Sequence, residues 1–194
     1  MSFLQLDEGT GMYIKHDWNL GEWLVDKQPI GAKDVLLDPK FKTGYGKWTV
    51  QDGNNQFDFQ EDQVVGVKRD DWRSLVQDDY KRAFETMMYV KGQGVYIWRS
   101  ESKMQGKTFD EAMTAAWDAA NGNPPPNQVP YFTVEQSERI QAGAANGFVG
   151  KLKFVKWVDR PQDFDSPEFN SAESVNELDQ NKQADDRREE DIPF

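Results

Sequence analysis

The chain of 194 residues is 37% hydrophobic and carries a formal net charge of −11. It has no cysteine and a single histidine, His16, which excludes disulfides, thiolate zinc sites, histidine metal clusters and a charge-relay triad. No apolar run approaches the ~18 residues of a membrane span, and the first residues do not form a signal peptide. We therefore expect a soluble protein of one folded domain with no membrane partner.

Strand-like segments with turn signals between them dominate the chain from residue 47 onward. The segments are residues 47–51, 56–60, 64–68, 87–91, 95–100 and 147–158. Asp52-Gly53-Asn54-Asn55 separates the first two and predicts a β-hairpin. Gly92-Gln93-Gly94 predicts a second hairpin, and the last segment is expected to be one long strand.

Two segments have the periodicity of helices. Residues 70–86 carry apolar side chains at intervals of roughly three or four: Trp72, Leu75, Val76, Tyr80 and Phe84. Residues 108–120 are rich in alanine, and Thr108 and Glu111 have the spacing of a capping box. Three consecutive prolines at 124–126 then predict a stiff, extended connector.

The order of these elements indicates the fold class. Several strands at short spacing with inserted helices favour a small antiparallel barrel, because a parallel α/β sheet requires regular alternation of helix and strand. We therefore predict a mainly β fold with inserted helices. Within that class we expect an OB-fold-like antiparallel barrel, a choice that depends on the functional argument below.

The C-terminal segment differs from the rest in charge and composition. Residues 163–194 hold eleven acidic and three basic residues, a net charge of −8, whereas residues 1–162 carry −3. Apolar residues after position 160 are too few to offset the entropy of ordering. We predict a folded domain at 1–160 and a disordered acidic tail at 161–194, with a packed helix at 172–179 as the alternative.

The last ten residues combine an acidic run with a terminal Ile-Pro-Phe. Pro193 restricts the backbone, Phe194 can fill a hydrophobic pocket, and the terminal carboxylate can bind an arginine or backbone N–H groups. The acidic run attracts basic partner surfaces and speeds association. The tip thus predicts a partner-binding peptide formed by Asp191, Ile192, Pro193 and Phe194.

This ending is similar to the acidic tip of bacterial single-stranded DNA-binding proteins, which end in an Asp-rich run followed by Ile-Pro-Phe. The resemblance implies that residues 191–194 dock onto replication and repair proteins, although Arg187 and Arg188 interrupt the acidic run and depart from the family pattern. The body is more similar in style to bacteriophage-encoded single-stranded DNA-binding proteins, on residues 122–160 with Val129-Pro130-Tyr131-Phe132 and on residues 153–161. Together the resemblances imply a protein that binds single-stranded DNA in the bacterial cytoplasm during replication, recombination or repair.

Binding a single strand requires cations that follow the phosphates and exposed aromatic rings on which bases stack, each worth roughly 1–3 kcal/mol. Residues 40–48 interleave both types of side chain with glycines that permit close backbone approach. The candidate DNA-binding residues in this segment are Lys42, Tyr45, Lys47 and Trp48. Burial of the two aromatic residues in the core is the alternative. Because stacking is tolerant of sequence, we expect little base preference.

Further candidates come from other predicted strands and from the segment after residue 100. Alternation puts Tyr96 and Trp98 on one face, which is exposed if Val95 and Ile97 face the core. Cationic and aromatic residues nearby, and on one face of the last predicted strand, extend the surface. They are Arg99, Lys103, Lys107, Lys153 and Trp157.

Enzymatic activity is not expected. The carboxylates of Asp58, Glu61 and Asp62 lack a metal-binding or catalytic signature, the glycine pairs do not continue into a P-loop, and no motif implies a cofactor. Two alternatives to a strand-coating protein stay open. One is an interaction protein that uses the tip to divert host replication and repair enzymes without binding DNA; the other is a strand-annealing recombination protein.

Overall fold

The computed structural model describes residues 12–51, 53–142 and 145–165. The predicted partner-binding tip, residues 191–194, lies outside the described residues, as does most of the predicted tail. Within the described ranges, no helix has the length and apolar content that crossing a membrane requires.

The described part of the chain is mainly β. Its strands are β1 (Tyr13–Asp17), β2 (Glu22–Val25), β3 (Gln28–Pro29), β4 (Asp34–Leu37), β5 (Lys42–Gln51), β6 (Asn54–Glu61), β7 (Lys81–Val90), β8 (Gly94–Ser100), β9 (Gln128–Ala142) and β10 (Ala145–Asp159). The helices are α1 (Trp72–Gln77) and α2 (Lys103–Ala119), and a 3-10 turn covers Gln162–Phe164.

These strands form one curled sheet, a half-barrel. Its main path has the order β10-β9-β4-β7-β8-β1-β2-β3, and the β5–β6 hairpin joins it through β7. The paired strands are antiparallel except β1 and β8, which are parallel. Because β5 pairs with β7 only from Lys42 to Gly46, residues 47–51 and their β6 partners extend beyond the start of β7.

Helix α2 covers one face of the sheet, which we call the core face. Its buried residues recur at helical spacing and are Thr108, Phe109, Ala112, Met113 and Ala116. They pack on strand residues that alternate with a period of two, as expected for a half-covered strand. The largest fully buried strand residues on this face include Ile14, Leu37, Met88, Trp98 and Phe132.

The opposite face, the outer face, carries a smaller apolar cluster at one end. Val95 on β8 and Val129 on β9 pack with Phe164 of the 3-10 turn, which is 2% exposed. Arg160, just before the turn, forms a bidentate pair with the buried Asp38 carboxylate, at 2.8 and 2.9 Å. Phe164, which the sequence assigned to the disordered tail, is therefore part of the folded chain.

Both predicted hairpins are confirmed, as β5–β6 and β7–β8, and the predicted strand at 147–158 is confirmed within β10. The predicted strand at 64–68 is wrong, because these residues form turns. Val64, Val65 and Val67 are each at least half exposed there. Their β-branched side chains favour a strand locally, but the segment has no neighbouring strand to pair with in the described sheet.

The predicted helix at 70–86 is only partly correct. Helix α1 ends at Gln77, and Asp79 has a φ of 68°, which stops helical continuation. The following residues belong to β7, where Phe84 and Thr86 face the core. Helix α2 begins before the predicted start, and the Thr108 hydroxyl donates to the carbonyls of Met104 and Gly150 instead of capping the helix.

His16 is buried between the β1–β2 hairpin and the β9–β10 hairpin. Its Nε2 lies 2.8 Å from Ser137 Oγ, whose hydroxyl donates to the Gly21 carbonyl at 2.6 Å. Its ring makes an edge contact with Trp23, and Gly150 leaves room for both rings. Burial lowers the pKa of His16 below its ordinary value of 6.5, although the Gly21 backbone and the Asp17 carboxylate oppose the shift.

This pKa predicts a stability loss in mild acid. Because the folded state holds His16 neutral, the unfolded state binds more protons, and the free energy of unfolding should fall as the pH drops through and below 6.5. Urea denaturation at pH steps from about 7.5 to 5 measures this, with His16→Gln expected to flatten the profile. A wild-type profile that is flat over this range would contradict the assignment. Hydrogen bonds from Tyr131 and Arg69 lower the pKa values of Asp34 and Asp71 from 3.8, so protonation of these two carboxylates reduces stability only at lower pH.

Candidate nucleic-acid interface

Trp48 is the most exposed of the predicted stacking residues, with 39% of its surface accessible. It lies on the outer face of β5, beyond the residues that pair with β7. Its ring centroid is 4.9 Å from that of Phe57, its cross-strand partner on β6. The indole Nε1 donates to Glu101 Oε2 at 3.0 Å. These two contacts hold the indole in one orientation while part of the ring stays open to solvent.

The glycines of β5 allow close approach, as the sequence predicted, but the approaching groups belong to the protein itself. A Cβ at Gly46 would lie 2.2 Å from Phe57 Cζ, and a Cβ at Gly44 would lie 2.3 Å from the Gln60 carbonyl oxygen. The Phe57 ring therefore lies directly over Gly46. Phe59 stacks beside it, with centroids 6.1 Å apart, so the aromatic surface continues along β6.

Arg99 of β8 completes this outer-face cluster. Its guanidinium carbon lies 4.2 Å from the Tyr13 ring centroid, 5.0 Å from that of Phe57 and 5.8 Å from that of Trp48. The nearest Glu85 carboxylate oxygen is 3.9 Å from Nη1, and the buried Nε has no hydrogen-bond partner among the described residues. The Arg99 side chain is only 14% exposed, so its charge mainly stabilises the rings around it and leaves a small cationic surface for a stacked base. We call Tyr13, Trp48, Phe57, Phe59 and Arg99 the aromatic cluster.

Trp48 also forms one wall of an open groove of about 500 Å³ beside the cluster. Tyr80 lines the groove, and Lys47 lies across it with Nζ 5.7 Å from the Tyr80 centroid. Lys47 Nζ donates to the Asp78 carbonyl at 2.7 Å, which fixes its charge near the groove. Lys81 adds a second, exposed cation to the lining.

The hydroxyl of Tyr80 is bonded to a carboxylate beside the groove. It donates to the Asp58 carboxylate, and this bond, with smaller contributions from burial and from the charges of Asp58 and Asp78, raises the pKa of Tyr80 to about 12. The bond to Asp58 holds the Tyr80 ring in place beside the groove, where it offers an aromatic surface.

Most of the predicted cations form ion pairs with carboxylates of the protein itself. The lysine pairs are Lys42–Glu61 at 3.2 Å, Lys107–Glu111 at 3.6 Å and Lys153–Glu135 at 3.8 Å. Lys103 is exposed at the start of α2. Such exposed pairs contribute little to stability, but they reduce the positive potential available to a phosphate chain.

Three predicted stacking residues are buried, so their assignment to a DNA surface is corrected. Tyr45 is 3% exposed, Tyr96 6% and Trp98 0%. Trp98 packs edge-on against Trp23 and Phe84 and donates to Gln105. The alternation of β8 misled the prediction because both faces of this strand are covered.

Trp157, another predicted stacking residue, is half-buried and packs at the edge of the core. Its Nε1 donates to the Ala116 carbonyl at 3.2 Å, and its ring contacts Trp117 and Phe154. The register of β10 shifts between Phe154 and Lys156, so the simple alternation that placed Trp157 with Lys153 fails. The bulge turns Trp157 toward α2 while the Lys153 side chain is 68% exposed.

The structure therefore brings together Lys47, Trp48 and Arg99 from the predicted set. Lys107 and Lys153 belong to ion pairs on α2, β9 and β10 instead. Five site residues were not predicted from the sequence: Tyr13 on β1, Phe57 and Phe59 on β6, Lys81 at the start of β7, and Tyr80 just before it. The alternation of Phe57 and Phe59 on a predicted hairpin strand was a usable signal, since it places both rings on the same face as Trp48, the cross-strand partner of Phe57.

Comparison of the chain with protein-family models, with curated proteins and with solved structures gave no match.

Proposed function

We propose that this protein binds single-stranded DNA with little sequence preference on the outer face of the β5–β6 hairpin. The observation that carries the proposal is the position of Trp48, which is partly exposed within the aromatic cluster and also lines a groove with Lys47, Lys81, Asp79 and Glu101. Rings that lie side by side on a rigid sheet accept successive bases without reading their edges. The protein would thereby coat and protect single strands during replication, recombination or repair.

The architecture supports this proposal in a general way. A curled half-barrel is compatible with an OB-like barrel, and OB-folds bind oligonucleotides on a strand face flanked by loops. The aromatic cluster likewise lies on a strand face and next to the connection between β6 and β7. Fold alone does not carry function, so the chemistry of Trp48 and Arg99 remains the main support.

The proposal includes a second role for the acidic C-terminal tip. Asp191 supplies charge, Ile192 and Phe194 supply apolar side chains, and Pro193 limits the conformations that must be ordered on binding. We expect this peptide to recruit replication and repair proteins to the coated strand. The tip acts through residues separate from the aromatic cluster, so the two activities are separable by mutation.

Substitution at Trp48 tests the site. Trp48→Ala is expected to weaken binding of a single-stranded oligonucleotide by about tenfold or more, because base stacking contributes about 1–3 kcal/mol. Trp48→Phe should retain most of the affinity. Fluorescence anisotropy of a labelled strand measures both, and the thermal midpoint of each variant shows that the fold is kept.

The matched control for Trp48 is Val50→Ala, two residues further along the outer face of β5 and 73% exposed. It removes exposed apolar surface from the same hairpin without removing a ring. If Val50→Ala weakened binding as much as Trp48→Ala, the loss would reflect the hairpin in general, and the stacking assignment would be wrong.

The pairing of cations with carboxylates favours one alternative function. Lys42, Lys107 and Lys153 each have an acidic neighbour, which is more typical of a solvated surface than of a phosphate track. An interaction protein that diverts host enzymes through its tip needs no such track. It predicts partner binding that depends on Phe194 and no affinity for oligonucleotides.

A further inference from the structure

The groove beside Trp48 is large enough to hold one base of a bound strand. Its volume of about 500 Å³ exceeds that of a single nucleobase, and its walls include the Trp48 indole and the Tyr80 ring. Lys81 supplies an exposed ammonium at the same groove. A base placed here can stack on the Trp48 indole, and Lys81 can meet its phosphate, although Asp79 and Glu101 add two carboxylates to the same lining.

Glu101 places a carboxylate in this groove, and a carboxylate can distinguish bases by their hydrogen-bond donors, which stacking on rings alone does not. Its Oε2 accepts the Trp48 indole N–H at 3.0 Å, and the residue is half-buried in the groove lining. An ionised carboxylate has two oxygens and about four acceptor positions, so one indole donor leaves acceptor capacity. A ligand bound beside Glu101 would meet this capacity with a donor, since a carboxylate offers no donor of its own.

Bases differ in the donors that they offer to a carboxylate. Cytosine presents an exocyclic N4 amino group, which glutamate accepts well, and adenine and guanine also carry exocyclic amino groups. Thymine has a carbonyl oxygen at the position that corresponds to the cytosine amino group, and this oxygen repels a carboxylate. Cytosine and thymine have the same ring size, so a comparison of the two isolates this difference.

We infer that the Trp48–Glu101 groove holds one base of the bound strand and favours a base with an exocyclic amino group over thymine. The inference rests on the proposed function and adds a base preference at a single position to it. Trp48 stacks on the base, Glu101 both orients the indole and accepts from the amino group, and Lys81 neutralises the adjacent phosphate. Elsewhere on the aromatic cluster the binding stays tolerant of sequence.

The test compares oligo-dC and oligo-dT of equal length by anisotropy with the full chain. The wild-type protein is expected to bind oligo-dC about fivefold more tightly than oligo-dT, because one additional hydrogen bond contributes about 1 kcal/mol. Glu101→Gln keeps the side-chain size and an acceptor for Trp48, but its amide can also donate to the thymine oxygen. It should reduce the dC-to-dT ratio to about one, chiefly by improving binding to oligo-dT.

Asp110→Asn is the matched control for the change in charge. Asp110 is exposed on α2, outside the groove lining, and its substitution removes one negative charge as Glu101→Gln does. It should leave the dC-to-dT ratio at the wild-type value. A preference abolished in Glu101→Gln and kept in Asp110→Asn supports the subsite.

Other outcomes separate the inference from the proposal beneath it. Equal wild-type affinity for the two strands, or a cytosine preference that survives Glu101→Gln, overturns the base subsite and leaves single-strand binding intact. No binding of either strand overturns the proposed function and the subsite with it.

Discussion

Trp98→Ala is expected to lower the free energy of unfolding by about 3–5 kcal/mol, the usual cost of truncating a large buried aromatic side chain. Trp98 is 0% exposed, and its ring contacts Trp23, Phe84 and Phe109 on the core face. Alanine leaves a cavity that these rigid neighbours cannot fill, and it removes the shorter of the two hydrogen bonds to Gln105 Oε1, the other being from the His16 backbone N–H. Total stability for a domain is only ~5–15 kcal/mol, so the variant loses a large part of it.

Urea denaturation followed by circular dichroism measures this loss, and Trp48→Ala is the matched control. Both substitutions remove a tryptophan, but Trp48 is on the outer face and partly exposed, so its loss should cost less than ~1.5 kcal/mol of stability. A stability change below ~1 kcal/mol for Trp98→Ala would place Trp98 on the surface and contradict the packing described above.

Asp38→Ala is expected to destabilise the fold by a similar amount, about 3–5 kcal/mol, because it leaves the Arg160 guanidinium largely buried without its main partner. The two side chains form a bidentate pair, and Asp38 also accepts from the Lys40 backbone N–H. An arginine guanidinium stays protonated throughout the pH range of folded proteins, so Arg160 cannot escape the cost by becoming neutral. In the variant it keeps only the Asp165 carboxylate, 3.0 Å from Nε, as an acidic partner.

A double-mutant cycle with Asp38→Ala and Arg160→Ala isolates the pair from the other contacts of each residue. We expect a coupling of at least ~1 kcal/mol between the two substitutions. The exposed pair of Lys153 and Glu135 serves as the comparison, with an expected coupling below ~1 kcal/mol. Additive effects of Asp38→Ala and Arg160→Ala would show that this ion pair does not fix the start of the C-terminal segment to the sheet.

The packing of residues 160–165 on the sheet determines where a variant without the acidic tail should end. A deletion from residue 163 would take away Phe164, which packs on Val95 and Val129 and lies 5.1 Å from the Arg160 guanidinium. The resulting loss of apolar burial would be mistaken for an effect of the tail. A truncation after Asp165 keeps the packed residues and removes only the acidic segment beyond them.

Local turn chemistry predicted the best-defined elements correctly. The Asp-Gly-Asn-Asn and Gly-Gln-Gly segments specify tight reversals, and both hairpins form at those positions. The first four strands and β9 escaped prediction. β2, β3 and β4 have four residues or fewer, and β9 contains Pro130 in a run that also carries several polar residues.

Side-chain placement was harder to predict because it depends on what covers each face. The alternation of β8 identifies two faces but cannot tell that α2 covers one and the Phe164 cluster part of the other. In β10 a bulge rotates Trp157 relative to Lys153, and no residue type marks that irregularity. Trp48 was predicted because residues 40–48 interleave cationic and aromatic side chains, but that pattern could not separate the exposed Trp48 from the buried Tyr45.

The most direct test of single-strand binding is an anisotropy titration of a labelled thirty-nucleotide oligo-dT with the full chain at low and moderate salt. Duplex DNA of equal length serves as competitor. The proposal predicts saturable binding that weakens as salt rises and that duplex does not displace, because stacking on Trp48 needs unpaired bases. Absence of binding at low salt, or displacement by an equal concentration of duplex, would contradict it.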